Sequence, residues 1–220
     1  MNILKLVPFL TIIFLSMSCS KKVFKEKWTK QEAPKIFKAR FETTKGNFDI
    51  EAHRAWSPKA VDRLYQLISN GFYTDIAIFR VVPNYVVQFG IHNNSSLNKS
   101  WSTHKLPDEP VLMSNTEGAI SFARGGKESR TTQIFINLKN NSPRLDSLLY
   151  KDVKGFPVVA KVTKGMDIIK SFYSGYQEKP SNKQGSIEKY GNVYLRNNFP
   201  KLDYIKKAYI VKNSTLKRNP

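Results

Sequence analysis

From Phe37 to Ala52 apolar residues recur at every second position. Phe37, Ala39, Phe41 and Thr43 alternate with polar neighbours, Lys45-Gly46-Asn47 interrupts, and Phe48, Ile50 and Ala52 resume the alternation. Successive side chains of a strand point to opposite faces, so this pattern predicts a β-hairpin with one buried face. A hairpin is not stable alone and commits the chain to a larger sheet. Short β-branched or aromatic runs at residues 76–82, 85–89, 119–123, 132–138, 156–162 and 204–211 supply the other strands, with Pro83-Asn84 as a turn. Helical spacing occurs twice. Ser57-Pro58 offers an N-cap and N1 proline, Val61, Leu64, Leu67 and Ile68 share one face, and Asn70-Gly71 ends the run. After the turn Lys164-Gly165, Met166, Ile169, Phe172 and Tyr173 share another face. Residues 90–111, 124–130 and 177–200 read as loops. Many short strands and two helices predict a barrel plugged by helices.

The 220 residues suffice for one full core with modest extensions, and 40% hydrophobic with 12% aromatic residues is a globular balance. Lys and Arg number 36 against 17 Asp and Glu, for a net charge of +19. The charge is dispersed, with denser groups at residues 21–40 and 206–218, and neither carries a nucleic-acid-binding motif. It reads as a solvated surface, and no nucleic-acid partner is expected. Whether the basic tail touches anionic lipid or only solvent stays open, solvent being the simpler reading.

Cys19 is the one cysteine, so no intrachain disulfide and no cysteine metal cluster can form. Before it stand Lys5, the apolar run of residues 6–15, and the small residues Ser16 and Ser18. That is the layout of a secretory signal, and the run is too short to span a bilayer. The segment resembles a bacterial lipoprotein signal. The resemblance implies lipidation of Cys19, loss of residues 1–18, a membrane held through the N-terminal lipid, and a cell-envelope location with the domain outside the cytoplasm. Residues 19–35, polar and Lys-rich, then read as a tether, residues 36–212 as the domain and residues 213–220 as a basic tail.

Three blocks in order, Phe79-Arg80-Val81-Val82-Pro83-Asn84-Tyr85-Val86-Val87-Gln88-Phe89-Gly90, Gly118-Ala119-Ile120-Ser121-Phe122-Ala123-Arg124 and Thr132-Gln133-Ile134-Phe135-Ile136-Asn137, resemble the cyclophilins. With residues 156–162 and Lys164-Gly165-Met166-Asp167, the resemblance extends over about residues 36–173. It implies a closed eight-stranded antiparallel β-barrel with two capping helices, and peptidyl-prolyl cis/trans isomerase activity on proline-containing polypeptide clients, by a monomer. Such a barrel is filled by its own side chains, which places the site on an outer face.

The residues suit that chemistry. Rotation about a prolyl bond breaks amide resonance behind a barrier of about 20 kcal/mol. Lowering it calls for a donor that favours the twisted amide and a pocket that fixes the ring; it calls for no nucleophile, cofactor or metal. By resemblance Arg80 is the donor and Gln88 orients it. Tyr85, Phe122, Phe135, Leu145 and Phe156 wall the proline pocket, and Ala123, Arg124 and Gln133 line the groove for preceding residues. Phe79 stands where many relatives have His, Tyr85 replaces a common Phe, Phe156 replaces a His of eukaryotic members, and Arg144 stands in place of Trp. A lone strand Phe is ordinarily core, and a lone strand Arg a surface ion-pair partner; the joint pattern carries the functional reading. His53, His92 and His104 are too dispersed to suggest a metal site, and no hydrolase or phosphate-loop motif occurs. A non-catalytic proline-peptide-binding or assembly module on the same scaffold is the alternative.

Overall fold

A computed structural model describes residues 23–211. The expected hairpin is formed by β1 (Ile36–Thr43) and β2 (Asn47–His53), whose register sets Phe41 opposite Phe48. Their rings stack at 4.8 Å inside the main core. Helix α1 (Pro58–Ser69) follows and lays Val61, Leu64, Leu67 and Ile68 into that core. Ser57 does not cap it. Its hydroxyl donates instead to Glu109, whose carboxylate accepts the backbone N–H groups of Lys59 and Ala60 at 2.8 and 3.1 Å. A carboxylate borrowed from a distant loop thus caps the helix.

The chain continues through β3 (Ile76–Ala77), β4 (Arg80–Val82), β5 (Val86–Phe89), α2 (Ser95–Ser102), β6 (Ala119–Phe122), β7 (Ile134–Asn137), the single-turn α3 (Arg144–Ser147), the small ribbon β8 (Leu149–Tyr150) and β9 (Val153–Lys154), β10 (Val158–Lys164), α4 (Met166–Lys170), α5 (Gln184–Asn198) and β11 (Tyr204–Val211). Nine strands form one sheet in the order β3-β11-β1-β2-β10-β6-β7-β5-β4.

This corrects the expected closed eight-stranded barrel with two capping helices: the sheet has nine strands and is open, a curled half-barrel edged by β3 and β4. Residues 76–82 were expected to form one strand, and the break in that strand is the reason. The N–H of Ile78 donates to the carbonyl of Asp203, and Phe79 turns away into a second core with Ala77, Ile91, Ile187, Leu195 and Leu202. The chain therefore leaves one edge at Ala77 and begins the other at Arg80, and among the described residues no ladder joins the two.

Two of the three segments read as loops contain helix. α2 lies within residues 90–111, with Leu97 and Trp101 buried. α5 lies within residues 177–200 and kinks at Gly191, where φ is 59°. A Cβ there would lie 2.3 Å from Asn93 Oδ1, so the close approach of the α2 loop requires glycine.

The tether reading fails for residues 26–33. Glu26–Lys30 form a 3-10 turn, Trp28 is buried, the Ala33 N–H donates to Asp62, and Gln66 Nε2 donates to the carbonyls of Thr29 and Gln31. Phe24 meets Trp28 and Trp101 edge-on at 5.8 and 5.2 Å, which clamps α2 from outside. Cys19, residues 1–18 and residues 213–220 lie outside the described residues. No helix among the described residues is long and apolar enough to cross a membrane.

Candidate functional site

The pairing register builds the site. Arg80 pairs with Gln88, Gln88 with Phe135, and Phe135 with Ser121, which places these residues in one row across β4, β5, β7 and β6. Their neighbours Val81, Val87, Ile134, Ile136, Ile120 and Phe122 alternate onto the opposite face and fill the main core. The row therefore lies on the outer side of the sheet.

On that side Val86, Phe135 and Leu145 form a separate apolar cluster, with Tyr85, Ala123 and Phe156 against it. Leu145 arrives on α3 and Phe156 on the segment before β10. The two are joined by a hydrogen bond from Phe156 N–H to the Leu145 carbonyl, 2.8 Å. Asn115 braces the same corner, donating to Asp146 and to the Phe156 carbonyl at 2.8 and 2.9 Å. Burial alone would raise the Asp146 carboxyl, but hydrogen bonds from Ser142 and Asn115 outweigh it and hold it below the ordinary carboxylate range. Phe135 and Phe156 meet edge-to-face at 5.5 Å.

These side chains enclose a cavity of about 240 Å3, whose polar edge is Arg80, Gln88, Arg124 and Gln184. The Arg80 guanidinium donates from one terminal nitrogen to Gln88 Oε1 at 3.1 Å. Its Nε donates to Glu178 at 3.1 Å, and the other terminal nitrogen closes the ion pair with the same carboxylate. Gln88 Nε2 donates to Gln133 at 2.9 Å, and Gln133 Nε2 to Gln184 at 2.9 Å, so the side-chain amides form a chain across the groove. Arg124 lies 4.6 Å over the Phe156 ring and donates to the Val153 carbonyl at 3.0 Å. Burial lowers its pKa, yet a guanidinium remains charged at neutral pH.

Of the sequence-derived set, Arg80, Tyr85, Gln88, Ala123, Arg124, Phe135, Leu145 and Phe156 line this cavity, and Gln133 lines the adjoining one. Phe122 does not. It is 1% exposed in the main core, because strand alternation sends it opposite to Ala123. Val86 takes its place as an apolar wall, and the alternation of β5 signals it, since Val86 shares a face with Gln88. Glu178 and Gln184 come from a stretch without readable periodicity, and nothing in the sequence pointed to them. Arg144, standing where an indole is expected, lies 5.5 Å from the Tyr85 ring at the pocket's rim.

Fold and site together define a class of β-protein: side chains fill the interior of the sheet, and its outer face carries an apolar pocket beside a fixed cation. Residues 38–192 match the family model described as cyclophilin type peptidyl-prolyl cis-trans isomerase/CLD, and the chain belongs to that family. Among curated relatives, it is 29% identical over 132 residues to a peptidyl-prolyl cis-trans isomerase of Acinetobacter baylyi, covering 58% of this chain and 66% of that protein. It is 31% identical over 127 residues to peptidyl-prolyl cis-trans isomerase A of Dickeya dadantii, covering 57% of this chain and 65% of that protein. The chain thus spans slightly under two thirds of the length of these relatives. A crystal structure of a cyclophilin type peptidyl-prolyl cis-trans isomerase from Cryptosporidium parvum shares the fold, with a TM-score of 0.60 at 17% identity over 81% of this chain and 99% of the other.

Proposed function

We propose that the protein accelerates cis/trans rotation of Xaa-Pro bonds in polypeptide clients outside the cytoplasm and so assists their folding. The observation that carries this reading is the juxtaposition of the Gln88-bound Arg80 guanidinium with a side-chain-sized apolar pocket walled by Tyr85, Phe135, Leu145 and Phe156. The pocket takes the pyrrolidine ring and fixes it while the acyl side turns. As the amide twists, its nitrogen becomes pyramidal and regains a lone pair. A guanidinium beside that nitrogen interacts more strongly with the twisted form than with either planar isomer, and only this difference lowers the barrier. Gln88 holds one terminal nitrogen of Arg80, so the fork is aimed before the substrate arrives. Ala123, Arg124 and Gln133 receive the residues before the proline.

The test is exchange spectroscopy on a short Xaa-Pro peptide with the purified protein. Exchange well above the uncatalysed rate, which runs at tens of seconds per event, supports the reading. Binding without such exchange would leave a proline-peptide-binding module. Glu178 is the observation that favours that second reading, since its carboxylate already occupies two nitrogens of Arg80.

The cell-envelope part of the proposal rests on the sequence around Cys19: lipidation there, with loss of residues 1–18, holds the domain at a membrane. More than one acyl chain is needed for stable attachment. Labelling with a radioactive fatty acid tests it; a Cys19→Ala variant that still fractionates with membranes, together with an unlabelled parent, would refute it.

A further inference from the structure

A second cavity of about 330 Å3 lies between α2 and α5. Ser95, Asn98 and Lys99 line it from α2, Gly185 and Glu188 from α5, and Gln133 from the position just before β7. Shared lining residues link it, through an intermediate cavity, to the proline pocket. Gln133 and Thr131 also line an intermediate cavity of about 170 Å3, which in turn shares Gln88, Ala123, Arg124 and Gln184 with the pocket beside Arg80.

We infer that the three cavities form one groove, and that the cleft between α2 and α5 binds the stretch of polypeptide lying several residues ahead of the proline. This rests on the isomerase reading for the direction of the chain, since Ala123, Arg124 and Gln133 take the residues before the proline.

Three features make the cleft a built site. Its walls are fixed to each other: the Asn192 N–H donates to Asn93 Oδ1 at 2.8 Å, and Gly191 admits that contact. α2 is also fixed from behind, where Trp101 is buried between the rings of Phe24 and Phe72 and under the guanidinium of Arg63, 4.8 Å from its centroid. Most of the lining side chains are polar, and the amide chain Gln88–Gln133–Gln184 leads into the cleft. A side-chain amide has the donor and acceptor of a peptide unit, so a bound backbone can replace Gln184 on Gln133 without leaving a buried group unpaired. The ligand is therefore an extended polypeptide recognised mainly through its backbone.

Gly185 provides the test, because a Cβ added there meets nothing within 4 Å and the residue lies outside the pocket beside Arg80. Gly185→Phe fills the cleft without disturbing its walls. Three peptides are compared on the purified full chain: a short Xaa-Pro peptide, the same with about six residues added on the amino side (roughly 20 Å of extended chain), and the same with about six added on the carboxyl side. The amino-side extension should lower KM about tenfold in the parent and leave it unchanged in Gly185→Phe, with short-peptide turnover equal in both. No gain from that extension, an equal gain from the carboxyl-side one, or a gain that survives Gly185→Phe would overturn the inference. If the parent turns over no peptide, the isomerase reading fails separately; anisotropy titration of the same peptides then decides the cleft, which requires tighter binding of the amino-extended peptide by the parent alone.

Discussion

Replacing Glu178 by Gln should raise activity. The carboxylate accepts from Nε and one terminal nitrogen of Arg80, and so offsets the positive charge that a twisted amide nitrogen would feel. The size of the effect follows from exposure. The Arg80 side chain is 22% exposed and that of Glu178 is 52%, so the pair is only partly desolvated, and pairs of this kind are worth about 0.2–1 kcal/mol. Releasing Arg80 from it should increase kcat/KM for a neutral Xaa-Pro peptide by about 1.4- to fivefold. Line-shape analysis of peptide exchange measures this directly. Added salt screens the pair and should bring the parent towards the variant while changing the variant little. A threefold or larger fall in Glu178→Gln would refute the reasoning and make Glu178 a residue that aims Arg80.

Two further outcomes concern stability. Glu109 accepts two backbone N–H groups at the start of α1 and pairs at 3.2 Å with Arg130, whose side chain is fully buried, so Glu109→Ala should cost about 3–5 kcal/mol in urea unfolding; a loss below about 1 kcal/mol would contradict the capping role. Asp49 is held below the ordinary carboxylate range first by its hydrogen bond from Arg40, at 2.7 Å, and a depressed folded pKa gives stability that is full above the unfolded value of about 3.9 and lost as pH falls through the folded one. The melting temperature should therefore decline below about pH 4, and less steeply in Asp49→Asn.

The sequence showed most clearly what repeats. Alternation located the β1–β2 hairpin and the faces of β5 and β7, and so the row Arg80, Gln88 and Phe135. The same rule, applied to β6, would have excluded Phe122, whose neighbours Ser121 and Ala123 face the site side. The closure of the sheet was not legible. It depends on whether the chain stays paired past Ile78, where Phe79 packs into a second core with Ile187, Leu195 and Leu202, more than a hundred residues away. α5 was hidden because Gly185, Gly191, Asn192, Asn197, Asn198 and Pro200 punctuate the stretch with residues typical of turns, and the helix does bend at Gly191. Glu178 and Gln184 reach the site only through that placement. Trp28 had no periodic partner at all, and its burial comes with Phe24 beside it and with the hydrogen bonds from Gln66 of α1 to Thr29 and Gln31.

Arg80→Ala tests the central claim most directly, with prolyl exchange measured beside circular dichroism and thermal melting. If the guanidinium stabilises the twisted amide, the folded variant should lose about 3–4 kcal/mol of transition-state stabilisation, a few hundredfold in rate, while peptide binding persists in the pocket formed by Tyr85, Phe135, Leu145 and Phe156. The parent's rate should be nearly flat between about pH 6 and 8, because no general acid or base takes part. A folded Arg80→Ala protein as active as its parent would contradict the account.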